Sequence, residues 1–363
     1  MSTLRYGVIG SGMMGVEHIH NILALDDAIV TAVADPHPPS LDLARQAVGD
    51  PALPCFTTAA ELVESQLCDA VVIASPNFTH IDVLRVVLAT DLHVLIEKPL
   101  CTTLADCREV VELVAAGPPG RVVWMGLEYR YMPPTQRLMA ELAAGTVGAV
   151  KMVAIREHRF PFLEKVDDWN RFNRNTGGTL VEKCCHFFDL MNEVTAARPV
   201  RVMASGAQSV NHLDERYDGE VPDILDNAYV IVDYDNGARG LLDLCMFAEA
   251  SKNEQEISVV GDEGKLEALV TESVLRVGRR RDGLHAITEH TITDDRVKHV
   301  GLHHGASYLE HVDFAAAIRS GEPPAVTVLD GLWSVAVGVA AHRSIETGGP
   351  VSIADLPELV GLP

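Results

Sequence analysis

The chain has 363 residues, 47% hydrophobic and 22% charged, which is the balance of an ordinary folded protein long enough for two domains. Its 29 basic against 51 acidic residues give a formal net charge of −22, which disfavours nucleic acid or an anionic membrane as a partner. The seven cysteines form no C-x-x-C pair, the first residues run directly into an apolar stretch, and no apolar run reaches about 20 residues, so we expect a cytoplasmic protein with reduced thiols.

The first third of the chain alternates short apolar runs with longer amphipathic stretches. This pattern predicts a doubly wound parallel sheet covered by helices on both faces. The predicted strands are Tyr6–Ile9, Ile29–Ala34, Ala70–Ala74, His93–Ile96 and Val122–Met125. The predicted helices are Val16–Leu25, Leu41–Val48, Ala59–Ser65, Ile81–Ala89 and Ala105–Ala115.

After Tyr131 the apolar runs become longer and more strictly alternating, with turn sequences between them. This pattern predicts a large, mostly antiparallel open sheet, one face of which is available for an oligomer. The predicted strands are Val150–Glu157, Val200–Ser205, Ala228–Asp233 and Ile257–Val260. The predicted helices are Thr179–Glu193, Tyr308–Ser320 and Gly331–Glu346.

A G-x-G-x-x-G sequence follows the first predicted strand and opens the first predicted helix. Gly10 permits a tight turn, Gly12 lets the backbone approach a pyrophosphate, and Gly15 lets the helix pack closely on the strand. The helix N-terminus presents free N–H groups to the phosphates. We therefore predict a dinucleotide site that includes these glycines with Met13 and Met14.

An acidic residue, Asp35, ends the second predicted strand, 20 residues after the last glycine of the motif. A carboxylate at this place binds the ribose hydroxyls of the adenosine. It would repel a 2′-phosphate, and the next residues, Pro36 and His37, supply no Arg or Lys to neutralise one. The sequence therefore predicts NAD rather than NADP as the cofactor.

Further motifs resemble the glucose–fructose oxidoreductase and inositol dehydrogenase family, often called Gfo/Idh/MocA. Their residues occur in the family's order over nearly the whole chain: Ser75-Pro76-Asn77-Phe78-Thr79-His80, Glu97-Lys98-Pro99, Arg130-Tyr131 with Pro133, Trp169, Arg171, Gly177-Gly178-Thr179-Leu180-Val181-Glu182 and His186. The resemblance implies a Rossmann domain, residues 1–126, and an α/β domain for substrate binding and oligomerisation, residues 127–363. It also implies a homodimer or homotetramer.

The resemblance also implies site residues. Beside the glycine motif and Asp35, the cofactor would contact Ser75, Pro76, Asn77, His80, Glu97 and Lys98. Lys98 and His186 would face the nicotinamide as catalytic residues. The family usually has Asp four residues before this histidine, whereas this chain has Glu182, so the role of that position is open between orienting the histidine and binding substrate.

Oxidising an alcohol with NAD requires a base for the hydroxyl proton and a group that stabilises the developing alkoxide. His186 suits the first role because the imidazole pKa lies near neutrality, and the Lys98 ammonium suits the second. On one continuous helix, Glu182 and His186 would share a face. The adjacent Cys184 and Cys185 point about 100° apart on such a helix, so the sequence predicts no metal site there.

The substrate side of the prediction rests on residues rich in hydrogen-bonding groups and aromatic planes. Such side chains fit a polyhydroxylated ring, and a sugar or cyclic polyol is the predicted substrate. The predicted substrate contacts are Lys98, Arg130, Tyr131, Trp169, Arg171, Glu182 and His186.

Three functions remain open from the sequence. The first is an NAD-dependent dehydrogenase that oxidises a secondary hydroxyl of a cyclic polyol, sugar or glycoside. The second is a redox-neutral NAD-dependent glycosidase, which oxidises a glycoside transiently and accumulates no NADH. The third is a non-catalytic dinucleotide-binding sensor or repressor, against which the presence of both Lys98 and His186 speaks.

Overall fold

The computed structural model describes residues 3–362 and divides into two compact units, each built on its own sheet. The first unit extends to Glu128 and also contains Lys165–Trp169 and Asp295–Leu332. The second contains Tyr129–Glu164, Asn170–Asp294 and the chain from Trp333 onward. The sequence analysis predicts one boundary, after residue 126, and assigns both later segments of the first unit to the second domain.

The sheet of the first unit has six parallel strands in the order β3-β2-β1-β4-β5-β6. The strands are β1 Leu4–Ile9, β2 Ala28–Ala34, β3 Cys55–Phe56, β4 Ala70–Ile73, β5 His93–Glu97 and β6 Val123–Gly126. Every residue of β4 is buried, as expected for a strand covered on both faces. The strand order reverses between β1 and β4, and ligands bind at such a switch point in open α/β sheets. The predicted doubly wound parallel sheet is confirmed.

Five helices connect these strands: α1 Met13–Leu23, α2 Pro38–Val48, α3 Ala59–Glu64, α4 His80–Val87 and α5 Leu104–Ala115. Their ends follow local chemistry. The Thr58 side chain accepts a hydrogen bond from Glu61 N at the start of α3, and the Glu61 carboxylate accepts one from Thr58 N. Helix α2 begins at Pro38 and ends before Gly49, which adopts the left-handed conformation.

The sheet of the second unit has nine strands in the order β14-β13-β12-β11-β7-β10-β9-β8-β15. The strands are β7 Val150–His158, β8 Pro199–Ala207, β9 Asn227–Tyr234, β10 Arg239–Cys245, β11 Gln255–Gly261, β12 Gly264–Leu269, β13 Val274–Arg279, β14 Ile287–Thr291 and β15 Val351–Ser352. The pairing of β10 with β7 is parallel and the other pairings are antiparallel. This confirms the predicted large, mostly antiparallel sheet.

One face of this sheet carries exposed apolar side chains in register across three strands. Ile231 of β9 lies directly opposite Met203 of β8 and Leu241 of β10. Their exposed fractions are 48% for Met203, 39% for Ile231 and 38% for Leu241. Paired residues point to the same face, so the three side chains form a continuous apolar row.

The helices of the second half are α6 Pro133–Ala143, α7 Asn173–Thr176, α8 Thr179–Glu182, α9 Cys185–Thr195, α10 Ala306–Ser320 and α11 Val328–Thr347. Helix α6 is absent from the helices that the sequence analysis predicts. Its two opening prolines occupy the first turn, where the missing N–H groups cost nothing. None of the helices in residues 3–362 is long and apolar enough to cross a membrane.

Candidate active site

The glycine turn between β1 and α1 has the geometry that a dinucleotide site needs. Gly10 has a φ of +87°, and a Cβ added there would lie 2.5 Å from Ser75 N. A Cβ on Gly15 would lie 2.0 Å from Gly10 O, so only glycine allows the helix this close to the turn. A Cβ on Gly12 would meet no heavy atom within 4 Å. The turn therefore leaves open space beside Gly12, where a pyrophosphate would approach the start of α1 at Met13.

Asp35 is held beside this turn by hydrogen bonds to the backbone. Its Oδ2 accepts from Ser11 N at 2.7 Å and from Ser11 Oγ at 3.2 Å, and its Oδ1 accepts from His37 N at 2.8 Å. The residue is 9% exposed. The carboxylate is thus fixed in orientation at the end of β2, and its remaining lone pairs suit ribose hydroxyls.

The loop after β4 contributes an unsatisfied donor to the same edge of the sheet. The Nδ2 atom of Asn77 is buried and has no hydrogen-bond partner among the described residues. A bound cofactor would satisfy it, because buried polar groups are normally hydrogen-bonded. The residues present at this edge, with the open space beside Gly12, fit a dinucleotide.

His80 lies behind this loop and is completely buried. Its Nδ1 lies 2.9 Å from Pro99 O and its Nε2 lies 3.1 Å from Ser75 O, so the ring joins the loop after β4 to the loop after β5. Burial lowers the pKa of His80, and the hydrogen bonds to these carbonyls oppose that effect in part. A direct contact between His80 and the cofactor stays a prediction.

Lys98 follows β5 directly, is half-buried, and precedes Pro99 across a cis peptide bond. Its backbone N–H donates to Glu97 Oε2 at 3.0 Å, and Glu97 Oε1 accepts from His18 Nε2 at 2.9 Å. Burial would raise the pKa of Glu97, but the hydrogen bond and charge of His18, with Lys98 nearby, outweigh burial and lower it to about 2. Glu97 therefore stays ionised and fixes the segment that carries Lys98.

A chain of buried polar side chains runs from Glu97 through His18 to His311, all within the first unit. His18 Nδ1 lies 2.9 Å from His311 Nε2, and burial together with His18 lowers the pKa of His311 well below its usual value. Nearby, burial and the carboxylates of Glu128 and Glu97 raise the pKa of Glu310 well above its usual value. No sequence motif reveals this network, because α10 reaches it from nearly 300 residues further along the chain.

Trp169 belongs to the short segment Lys165–Trp169 that the structure places in the first unit. Its ring meets the Phe78 ring edge-on, with centroids 6.2 Å apart. The residues before it, Asp167 and Asp168, have φ values of 53° and 46°, in the left-handed region. The predicted substrate residue Trp169 is thus packed beside the loop that follows β4.

In the second unit, His186 lies in the first turn of α9 and is 2% exposed. Its ring stacks on Tyr129, with centroids 4.0 Å apart and planes 8° apart. Phe187 meets the same Tyr129 ring edge-on at 5.7 Å. The imidazole is therefore held in one plane by its aromatic neighbour Tyr129.

The prediction of one continuous helix over Thr179–Glu193 is wrong. The structure has α8 and α9 instead, separated at Lys183 and Cys184. The Thr179 carbonyl accepts from Lys183 N at 3.0 Å and also from Cys184 N at 3.4 Å, which widens the turn and interrupts the regular ladder. The four-residue spacing of Glu182 and His186 consequently does not place them on one regular helical face. Glu182 itself is buried, with 6% exposed.

Behind His186 lies a buried ion pair that the sequence analysis missed. Lys183 Nζ lies 3.0 Å from Glu157 Oε1 and donates to the Tyr129 hydroxyl at 2.7 Å. Lys183 and Glu157 are 5% and 0% exposed. Glu157 falls on an inward-facing position of β7, where a charged residue is unusual, and that alternation was the one signal available.

The remaining predicted substrate residues already have protein partners. Arg130 forms two parallel hydrogen bonds with Asp189 of α9, at 2.7 and 2.6 Å. Arg171 is buried and donates to Glu215 at 3.1 Å. Tyr131 is 5% exposed. Substrate contact by these residues stays a prediction.

Two family models match the chain. Residues 4–126 match the NAD-binding Rossmann fold of the Gfo/Idh/MocA oxidoreductase family, and residues 140–353 match that family's C-terminal alpha/beta domain. Together they cover most of the sequence and correspond to the two sheets of the structure. The resemblance found from the motifs is confirmed, and so is NAD as the cofactor.

Relatives align over nearly their full length. The chain is 28% identical to the myo-inositol 2-dehydrogenase of Thermotoga maritima, over 99% of this chain and 100% of the relative. It is 25% identical to the scyllo-inositol 2-dehydrogenase (NAD(+)) of Bacillus subtilis, over 96% of both. These relatives support the assignment to NAD-dependent oxidoreductases.

Solved structures share the fold. A probable dehydrogenase from Thermotoga maritima matches with a TM-score of 0.77 and 26% identity, over 97% of this chain and 100% of that one. A levoglucosan dehydrogenase in complex with NADH and levoglucosan matches with a TM-score of 0.84 and 19% identity, over 97% and 100%.

Proposed function

The chain belongs to the Gfo/Idh/MocA oxidoreductase family, and we propose that it oxidises a secondary hydroxyl of a cyclic polyol, sugar or glycoside to the ketone with NAD. The observation that carries this proposal is the placement of Lys98. It follows β5, at the carboxyl edge of the sheet that holds the glycine turn and Asp35. Full-length relatives named inositol 2-dehydrogenases support a ring hydroxyl as the reacting group.

The proposed residues divide the chemistry among them. Bound NAD would supply the hydride acceptor for the oxidation of the alcohol. His186 takes the hydroxyl proton, and the Lys98 ammonium stabilises the negative charge that develops on the substrate oxygen. The stack on Tyr129 keeps the imidazole plane fixed while the proton moves. Glu182, which is buried and lies four positions before His186, orients His186 or binds a ring hydroxyl.

The substrate class follows from the same residues. A saturated ring with several hydroxyls offers hydrogen-bonding groups for buried polar side chains and an apolar face for an aromatic ring such as that of Trp169. Inositols and pyranosides both have these features. Asp35 supports NAD over NADP, because its backbone-held carboxylate would repel a 2′-phosphate.

The test is NADH formation by purified protein with a panel of inositols, free sugars, methyl and aryl glycosides, and levoglucosan. We expect turnover with one group of substrates, and a fall in kcat of about 10²- to 10⁴-fold in Lys98→Ala and His186→Ala. NAD affinity, followed by protein fluorescence, should survive in His186→Ala. The exposed Lys151→Ala and the strand variant His290→Gln serve as matched controls that keep full activity.

Two other results would replace the proposal. Release of the aglycone from a glycoside without net NADH would indicate the redox-neutral glycosidase. Tight NAD binding with no turnover of any substrate, including glycosides, would indicate the dinucleotide-binding sensor.

We also propose a homodimer or homotetramer that buries the apolar row of the nine-stranded sheet, which consists of Met203, Ile231 and Leu241. Monomers seldom expose contiguous apolar surface of this kind without using it. Light scattering should give a mass of two or four chains. Ile231→Asp should lower that mass, whereas Tyr229→Phe, a conservative change on the same strand, should leave it unchanged.

A further inference from the structure

Three side chains with metal-binding atoms meet in the first unit, and none of them is among the residues assigned to catalysis. Glu17 and His20 lie one turn apart on α1, and His299 lies in the segment before α10. One ligand atom from each falls within 4.8 Å of the other two. We propose that these residues bind a divalent ion of the zinc type, which ties the segment before α10 to helix α1.

The separation between Glu17 and His299 fits a shared metal better than a direct contact. His299 Nε2 lies 3.8 Å from Glu17 Oε1, which is too long for a hydrogen bond. Two ligands of a tetrahedral zinc ion, each about 2.0–2.1 Å from the metal, lie roughly 3.4 Å apart. His299 Nε2 is also buried and has no hydrogen-bond partner among the described residues. A metal would supply the partner that this nitrogen lacks.

The two imidazoles are arranged for a common ion. The ring centroids of His20 and His299 lie 5.9 Å apart, with planes tilted by 56°. Two imidazoles on one tetrahedral zinc ion have centroids roughly 5 Å apart. His20 is exposed and free to adjust its rotamer, so binding requires only a small movement of a surface side chain.

Glu17 is held in place by neighbours that act on its carboxylate. Oε1 accepts hydrogen bonds from Asn21 Nδ2 and Leu302 N, both at 3.2 Å. Glu17 is only 6% exposed, although it carries an ionisable group. Such outer hydrogen bonds orient a metal-binding carboxylate and are a regular feature of metal sites.

The backbone of the segment is shaped around this carboxylate. Gly301 has a φ of +54°, and a Cβ added there would lie 1.8 Å from Glu17 Oε1. Only glycine therefore lets the chain pass so close to the carboxylate. The site is built from both sides, by α1 and by the turn at Gly301.

The ligand set selects the class of metal. Two imidazoles and one carboxylate suit Zn²⁺ and its transition-metal neighbours, whereas Mg²⁺ and Ca²⁺ prefer oxygen ligands throughout. Water completes the fourth position, since His20 faces solvent. The ion would stabilise the folded state, because the three ligands come together only when α1 and the segment before α10 are both in place.

The experiment uses the untagged full-length chain, treated with EDTA and dialysed. Zn²⁺ is titrated against a chromophoric competitor, with Mg²⁺ as the comparison ion. We expect one equivalent of Zn²⁺ per chain with a Kd of about 1 µM or tighter, and no comparable Mg²⁺ binding. His20→Gln and His299→Gln should each weaken this equivalent at least about 100-fold, and the matched control His290→Gln should not.

Two further measurements keep the test decisive. In EDTA both variants should unfold at the wild-type temperature, since His20 is exposed and His299 Nε2 has no hydrogen bond to lose among the described residues. Added Zn²⁺ should raise Tm by about 5 °C only in the wild type and the control. Co²⁺ should give a spectrum without a sulfur charge-transfer band, which excludes the cysteines as ligands. Equal Zn²⁺ affinity in all variants, or no Zn²⁺ binding below about 100 µM, would overturn the proposal.

Discussion

The Tyr129 ring lies flat against the His186 imidazole, with centroids 4.0 Å apart and planes 8° apart. The Tyr129 hydroxyl accepts a hydrogen bond from Lys183, whose ammonium also pairs with Glu157. The orientation of the proposed base thus depends on an aromatic plane that a buried ion pair holds in place.

Removing this plane should impair catalysis more than binding. In Tyr129→Leu we expect kcat to fall about 10-fold, because an aromatic stack contributes about 0.5–1.5 kcal/mol beyond area burial and its loss frees the imidazole. KM should change less than twofold. Tyr129→Phe keeps the stack and should retain most of the activity. Steady-state kinetics of both variants check this, and equal kcat values would show that the stack is not used.

The buried pair predicts a large stability effect from a single change. Lys183→Met should lower the free energy of unfolding by about 3 kcal/mol, because it leaves the fully buried Glu157 carboxylate without its ammonium. Adding Glu157→Gln should restore part of that loss, since it removes a buried charge whose remaining cationic neighbour, Arg159, is 3.7 Å away. Urea unfolding of both variants is the measurement, and a cost below about 1 kcal/mol in Lys183→Met would contradict the ion-pair interpretation.

Asp35 should determine the choice between NAD and NADP. Asp35→Asn retains an oxygen that can accept from Ser11 N or His37 N but removes the negative charge. We expect the ratio of kcat/KM for NAD over NADP to fall at least about 10-fold, because a hydrogen bond to a charged group contributes about 1.5–3 kcal/mol. The exposed Asp91→Asn should leave the ratio as in the wild type.

Gly12 and Gly15 should respond differently to the same change. Gly12→Ala meets no protein atom within 4 Å, so stability should be retained while NAD affinity falls at least about 10-fold. Gly15→Ala places a methyl group 2.0 Å from Gly10 O and should lower stability as well. Thermal unfolding and NAD titration separate the two effects. Unchanged NAD affinity in Gly12→Ala would place the pyrophosphate elsewhere.

His342 of α11 should make the folded state sensitive to acid. Its Nε2 accepts from Leu180 N at 3.2 Å, and burial lowers its pKa to about 4, against an opposing effect of Asp223. Above pH 6.5 both folded and unfolded forms carry a neutral ring. Between about pH 6.5 and 4 the unfolded chain takes up the proton before the folded chain does. The free energy of unfolding therefore decreases as the pH is lowered, by up to about 3 kcal/mol from this residue.

The check for His342 is urea unfolding at pH 7 and pH 4.5. In His342→Gln, which can still accept from Leu180 N, the difference between the two pH values should shrink by most of that amount. The exposed His285→Gln should show the wild-type difference. A pH dependence of His342→Gln equal to that of the wild type would assign the acid sensitivity to other groups.

The sequence predicts the first sheet well because each buried parallel strand is a short continuous apolar run between amphipathic helices. Strand β3 is not predicted, because it consists of only two residues, Cys55 and Phe56, which are too few to show a periodic pattern. Strand β10 is not predicted for another reason. It places Gly240 against Met191, where a Cβ would lie 2.9 Å from the sulfur, and glycine weakens the strand pattern.

The glycine turn and the position of Asp35 are similarly predictable, because both follow from local backbone geometry. The residues that hold the proposed base His186 in place are not predictable in this way. The Tyr129–Lys183–Glu157 cluster joins three separate elements, and the break between α8 and α9 arises from a shared carbonyl at Thr179 that no residue preference signals. Tertiary contacts determine both features, so local sequence patterns do not predict them.

The return of Asp295–Leu332 to the first unit has a consequence for synthesis on the ribosome. Met125 N donates to Val326 O at 3.1 Å, and Trp124 Nε1 donates to Glu310 Oε1 at 3.3 Å. The strands of the parallel sheet are synthesised well before Glu310 and Val326, so the sheet lacks these partners until the ribosome has reached them. An N-terminal fragment ending near residue 126 would therefore expose the buried Trp124 and His18 surfaces, and would need chaperone protection or fail to accumulate in the cell.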